Sequence, residues 1–307
     1  MEEKRLINSY RNGNSTVFIY DDGTRRRETD GDEFIPSFAD NIYIKITEKG
    51  DGKSGFFETK EDGESAKLMA GIYPLEAFIE KLRPRTELNI EDELVLYPDI
   101  LELLVYLRKR SVTAHITVSQ EGFLRNYHRL MGWSERHLIN DINIIVSDTE
   151  DELFLEKVRH FTNIVLCVVN GVLDGTDLDN LVDKKLKLKI LGYQDQYKTI
   201  KDFGENVDQE IQWNKDWLKN NLTDELLGRF KTVLFDSSAA EQLDIKNTLA
   251  LEEGKWQEFY IPSSNRFSFY IDAVNRVFSK NKFSKNKHSM EDTWTADKMF
   301  RELRKSE

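Results

Sequence analysis

"NIYIKITEKGDGKSGFFETKEDG", residues 41–63, begins as an alternating apolar run and turns abruptly into a stretch of glycine, lysine and acid. A P-loop is the first reading to test. It needs G-x-x-x-x-G-K-[ST] between a strand and a helix, so that successive backbone N–H groups wrap a phosphate. Gly52, Lys53 and Ser54 supply the end of that motif, but Thr47 stands where the first glycine belongs. "GFFETKEDG" behind Ser54 contains two glycines and starts no helix. A phosphate loop is therefore set aside, leaving the remains of another cofactor loop or an ordinary turn.

The surrounding chain repeats the strand pattern. "NIYIKIT" (41–47), "ELNIE" (87–91), "SVTAHITVS" (111–119), "DINIIVS" (141–147), "NIVLCVV" (163–169), "KLKLKILGY" (185–193) and "KTVLFD" (231–236) read as strands. Helical stretches such as "PDILELLVYLRKR" (98–110) and "VDQEIQWNKDWLKNNL" (207–222) separate them, with Pro98 suited to a first turn. Strands alternating with helices imply a parallel sheet with crossover connections, here an open, partial (β/α) barrel of six or seven strands.

Several strands pair an apolar face with a polar one. Ile42, Ile44 and Ile46 oppose Tyr43, Lys45 and Thr47; Leu186, Leu188 and Ile190 oppose Lys187 and Lys189. In "SVTAHITVS", Val112, Ala114, Ile116 and Val118 oppose Thr113, His115, Thr117 and Ser119. A sheet covered on both faces reads as continuous apolar runs, so the polar set points to a wet lumen. Lys45, His115, Thr117, Ser119, Lys187, Lys189 and Asp236 are its candidate lining.

The pattern differs at both ends. Residues 1–38 read as a hairpin segment, with "STVFIYDDGTRRRET" supplying two arms around Asp22-Gly23. Residues 39–240 form the partial barrel. Residues 241–307 form an extension: an aromatic hairpin of "WQEFYI" and "RFSFYI", a helical "DAVNRVF", the basic linker "SKNKFSKNKH" (279–288) and an amphipathic helix "MEDTWTADKMFRELRK" with Met290, Trp294, Met299 and Phe300 on its apolar face.

Composition narrows the function. The chain has 307 residues, 39% hydrophobic and 11% aromatic, which suits a folded protein with a large core. Its net charge of −11 argues against nucleic-acid binding through phosphates, and the 279–288 run reads as a solvated linker. No apolar run is long enough to span a bilayer and "MEEKRLINSY" is not a secretory signal, so a cytosolic location is expected. The single cysteine, Cys167, sits in an apolar strand and reads as an inert buried thiol.

The landmarks "INSYRNGNSTVFIYDDGTRRR", "NIYIKIT", "EDGESAKL", "AHITVSQEGFL", "LKILGYQ" and "LFDSSAAEQLDIKNTLALEEGKWQEFYI" together resemble radical SAM-like proteins carried by bacteriophages and related mobile elements. The resemblance runs over nearly the whole length. It implies a C-x-x-x-C-x-x-C loop after the first barrel strand, whose thiolates hold a [4Fe–4S] cluster that chelates S-adenosylmethionine. Here that spacing falls on Gly50, Ser54 and Phe57, none of which ligates such a cluster. The family's glycine-rich strand end, which receives the methionine amine, is replaced by Glu91, Asp92 and Glu93. The opening stretch thus reads as an emptied cluster loop.

Two functions follow as expectations. The first is a catalytically silent binding protein without cofactor, whose partner is a host or phage protein. The C-terminal aromatic segments are then a candidate contact surface or a cover for the open barrel edge. The second is a repurposed enzyme, with Glu91, Asp92, Glu93, Ser119, Asp148 and Asp236 gathered at the strand C-termini to hold Mg²⁺ or Mn²⁺. The plainer reading of those acids is pairing with Lys45, Lys187 and Lys189, or hydration. His115 is a candidate general base only if it has a partner in reach; a structural histidine bonded to a threonine or carboxylate is the plainer reading.

Overall fold

Alternation of apolar and polar residues at a period of two drives most of this architecture. The computed structural model describes residues 5–20, 25–31, 33–48, 69–90, 97–201, 203, 206–253, 256, 266–291 and 293–305. The chain opens with β1 (Leu6–Asn12), β2 (Ser15–Tyr20) and β3 (Arg25–Thr29), an antiparallel sheet in the order β1-β2-β3. The two arms read from the sequence are β2 and β3; β1 is an added strand. The turn between β1 and β2 contains Gly13 at φ +63°, where a Cβ would stand 1.7 Å from the Ile35 carbonyl oxygen. Asp40, 2% exposed, docks this sheet on the barrel. It accepts hydrogen bonds from Tyr10 (2.9 Å), Asn12 (3.0 Å) and Arg27 (3.3 Å).

The barrel strands then alternate with helices. In chain order they are β4 (Asn41–Lys45), α1 (Ile72–Ile79), β5 (Glu87–Ile90), α2 (Ile100–Lys109), β6 (Thr113–Ser119), α3 (Gln120–Arg125), α4 (Tyr127–Glu135) and β7 (Asp141–Ile145). There follow α5 (Glu152–Val158), β8 (Ile164–Val169), α6 (Gly175–Asp179), β9 (Lys187–Leu191), α7 (Val207–Asn221), α8 (Asp224–Gly228), β10 (Thr232–Phe235), α9 (Ser237–Gln242) and α10 (Ile245–Thr248). The chain ends with β11 (Ser268–Asp272), β12 (Val277–Ser279), β13 (His288–Ser289) and α11 (Ala296–Lys305).

All seven predicted barrel strands are present, parallel and side by side in chain order from β4 to β10. Among the described strands β4 to β10 there is no reversal of order of the doubly wound kind. Ile42, Ile44 and Ile46 are buried on one face of β4 and its extension, while Val112, Ala114, Ile116 and Val118 are buried along β6. Helix α2 shows how this face is covered. Ile100, Leu103, Leu104 and Leu107 recur at helical spacing and are all buried, each burial stabilising by roughly 1.5–3 kcal/mol. Glu102 in its first turn and Arg108 and Lys109 in its last suit the helix dipole, and Ser111 at φ +57° ends the run. β8 is buried at every position, as its unbroken apolar sequence requires.

The C-terminal segment departs from expectation. The first arm of the expected aromatic hairpin lies outside the described residues except for Trp256. Its second arm is β11, and both edges of β11 are taken: β4 pairs with it in parallel and β12 antiparallel. "DAVNRVF" is not helical; it is the turn and second strand of the β11–β12 hairpin. Asp272 imposes the turn, accepting the Asn275 backbone N–H at 2.9 Å, and Arg276 takes φ +56°. The terminal helix begins at Ala296, with the Thr295 hydroxyl accepting from the Lys298 N–H at 3.2 Å. Met299, Phe300 and Leu303 are buried; Met290 and Trp294 pack on the core ahead of the helix. Among the described residues no helix is long and apolar enough to cross a membrane.

Candidate functional site

The polar sides of the parallel strands and the strand C-termini carry the chemistry-bearing residues. At the end of β4, Lys45 and Glu48 form an ion pair at 2.7 Å, with side chains 11% and 2% exposed. Lys45 is in register with Asp272 of β11. Asn275 closes the network, donating to Glu48 Oε1 and to Asp272 Oδ2, each at 2.7 Å. The lysine belonged to the predicted lining, but Glu48, Asp272 and Asn275 did not. Two of these partners lie more than two hundred residues away, and no local pattern signals them.

His115 sits near the start of β6, between neighbouring strands. Its Nδ1 is 3.0 Å from Asp141 Oδ2 of β7, and its Nε2 is 3.9 Å from Glu87 Oε1 of β5. Nε2 is buried and, among the described residues, has no hydrogen-bond partner. Burial alone would raise the Asp141 carboxyl. The hydrogen bond and charge of His115, the charge of Lys187 and a hydrogen bond from Asn140 outweigh it, holding the group below its ordinary value. The parallel register runs Asn89, His115, Asp141 across β5, β6 and β7, which places this cluster at the strand N-terminal end. Barrel enzymes place their reacting groups at the opposite end.

The remaining predicted positions serve backbone geometry. Ser119 caps α3, its hydroxyl accepting the Gly122 N–H at 3.0 Å. Asp236 caps α9, accepting from Ala239 N–H at 2.7 Å, and takes the Gly192 N–H at 3.0 Å as well. Asp148 accepts the Glu150 N–H at 2.9 Å within a turn. Each carboxylate thus supplies lone pairs to orphan backbone donors. Thr117, Lys187 and Lys189 are half-buried. Gly50, Ser54, Phe57, Glu91, Asp92 and Glu93 lie outside the described residues. The chain enters and leaves the first of these stretches through a bridge between Thr47 and Met69.

Two further networks escaped the sequence reading. Asp177, 8% exposed, accepts from Thr149 at 2.9 Å and from Lys201 at 2.6 Å. Gln242 accepts from Asn170 at 3.1 Å and from the Tyr193 N–H at 2.8 Å. Among the described residues, no three His, Cys, Asp or Glu side chains are arranged to hold a metal ion.

The donor set can be tested against an iron–sulfur cluster. Such a cluster takes thiolates from the chain, and the chain has one cysteine. Cys167 is buried in β8, and burial pushes its thiol up to about 11, with the nearby Lys189 charge lowering it and Asp236 raising it. A protonated, enclosed thiol is a poor iron ligand, and no second or third thiol exists. The residues present do not fit the cluster.

No family model and no curated protein sequence matches this chain. Solved structures do. SuiB of Streptococcus suis bound to S-adenosylmethionine matches with a TM-score of 0.54 at 14% identity, over 88% of this chain and 68% of SuiB. SuiB bound to the precursor peptide SuiA matches at 0.52 and 14% identity, over 88% and 67%. Native anSMEcpe with bound AdoMet matches at 0.55 and 11% identity, over 86% of this chain and 82% of that one. At such identities the likeness is one of architecture. The chain has a radical SAM-like (β/α) barrel fold, built around a sequence that contains a single cysteine.

Proposed function

We propose that this protein is a catalytically silent radical SAM-like protein that acts by binding a protein partner. One observation carries the reading: three cluster thiolates cannot come from a chain whose single cysteine is buried in β8. The family spacing falls on Gly50, Ser54 and Phe57, and Glu91, Asp92 and Glu93 replace the small residues of the cosubstrate strand end. A polypeptide partner is supported by the SuiB complex with SuiA, a similar fold with a peptide bound. The proposed setting is a phage-borne gene expressed in the host cytosol, with a host or phage protein as target. That setting rests on the resemblance of the sequence landmarks alone.

The test is reconstitution. After anaerobic incubation with iron and sulfide, the protein is expected to show no iron–sulfur absorbance and to release no 5′-deoxyadenosine from S-adenosylmethionine. The combined variant Gly50→Cys, Ser54→Cys, Phe57→Cys regains three thiols and is expected to capture iron without cleaving the cosubstrate, because three carboxylates remain at the strand end. Cluster binding or deoxyadenosine formation by the unaltered protein overturns the proposal. Pull-down from infected cells, followed by rebinding of the captured protein to the purified chain, identifies the partner.

A further inference from the structure

The strand N-terminal end of the barrel gathers positive charge in this acidic chain. A cleft of about 250 Å³ is lined by Arg159 after α5, Lys184 and Lys185 before β9, Lys187 at its start and Lys231 before β10. Phe161 contributes apolar wall, and among the described residues no aspartate or glutamate lines the cleft. In a chain with 55 acidic and 44 basic residues, five cations around one acid-free cleft is not the average surface.

Two acids whose fields reach the cleft lysines have closer partners of their own. Asp183, in the same loop, accepts two hydrogen bonds from Arg229, at 2.7 and 3.1 Å, and feels the Lys184 charge as a longer-range field. Asp141 is bonded to His115 and feels the Lys187 charge only as a longer-range field. Among the described residues, no carboxylate stands within ion-pair distance of any of the five cations. Lys184 is bonded to the Asn180 carbonyl, and Lys185 holds a left-handed backbone at φ +55°. Like charges gathered without an ion-pair partner repel one another, and a bound anion relieves that repulsion.

We propose that this cleft binds a small phosphorylated anion of about pyrophosphate size. The volume is below that of a drug-sized ligand site, which sets the size. The charge sets the chemistry: a diphosphate presents several oxygens to lysine point charges and to the planar arginine fork, whereas a lone carboxylate leaves most of the cations unanswered. A polynucleotide suits the site less well, because its phosphates must also cross the surface of a protein carrying −11. The site is independent of the protein-partner reading.

Calorimetric titration with inorganic pyrophosphate at low salt tests the proposal, using the full chain, the double variant Lys185→Gln/Lys231→Gln and the charge-keeping Lys231→Arg. Lys185 and Lys231 are exposed, so these variants are expected to fold, with circular dichroism as the check. Pyrophosphate is expected to bind the unaltered protein and Lys231→Arg alike, to bind the double variant at least tenfold more weakly, and to weaken as salt rises. No binding to the unaltered protein, or equal binding to the double variant, overturns the proposal. So does a single-stranded oligonucleotide that binds more tightly than pyrophosphate and loses that binding in the same variant.

Discussion

Lys45 Nζ and Glu48 Oε2 lie 2.7 Å apart in the interior, and Asn275 reaches the same glutamate from the far end of the chain. A buried pair is costly to break from one side, because the surviving partner keeps its desolvation cost. Glu48→Gln is expected to lower the unfolding free energy by about 3–5 kcal/mol, and Lys45→Met/Glu48→Gln together by less than that. Urea unfolding of the two variants measures the difference. An additive or larger loss in the double variant contradicts this account.

Asp141 gives stability a defined acid limb. Its folded carboxyl lies below the ordinary value, so the unfolded chain binds its proton first as pH falls. The contribution is fully present above the unfolded value of about 4 and is lost as pH drops through the folded value. Asp141→Asn is therefore expected to be less stable than the parent at neutral pH, with the gap closing below about pH 4. Melting temperatures measured across that range check it; a constant gap refutes it.

Cys167 should be silent in the native state. With its thiol raised to about 11, the thiolate fraction at pH 8 is about one in a thousand, and burial blocks access besides. A disulfide reagent is expected to titrate no thiol in the folded protein and one after denaturation. Fast native labelling would show that β8 opens.

Asp236 is a test of structural against metal-binding carboxylates. Its replacement by alanine strands the Ala239 and Gly192 N–H groups and is expected to cost about 1–2 kcal/mol, regardless of added Mg²⁺. Denaturant unfolding with and without Mg²⁺ measures this. A Mg²⁺-dependent loss would restore the repurposed-enzyme reading.

Gly13→Ala is expected to loosen β1–β3 selectively, because a Cβ there meets the Ile35 carbonyl and φ is positive. Hydrogen exchange should rise across residues 6–29 and stay unchanged in β6 to β8. Uniform acceleration would mean that the two sheets unfold together.

The barrel was legible because period-two strands announce themselves. Ile42, Ile44 and Ile46 against Tyr43 and Lys45 leave one register, and the structure buries the isoleucine face. β1 was hidden because "LINSYRN" is exposed along most of its length and carries little hydrophobic signal. "DAVNRVF" misled because its composition tolerates a helix, while one aspartate at its head fixes a turn instead. The polar interior was readable residue by residue but not pair by pair. Lys45 could be placed on its face, yet Glu48 and Asn275 depend on a contact spanning 227 residues. Asp236 and Ser119 were read as lining, whereas each ends a strand and starts a helix, a position where acids and serines cap.

The parallel pairing of β4 with β11 also orders events during synthesis. One flank of the first barrel strand has no partner in that sheet until Ser268–Asp272 have been translated, over two hundred residues later. At ordinary elongation rates the ribosome takes roughly 10–45 s to cover that distance. Throughout that interval the nascent protein carries an open strand edge of unpaired backbone groups, a template for mispairing with neighbouring chains. Strand β11 acts as the clasp of β4, so polysome-bound material should be more aggregation-prone than the finished molecule.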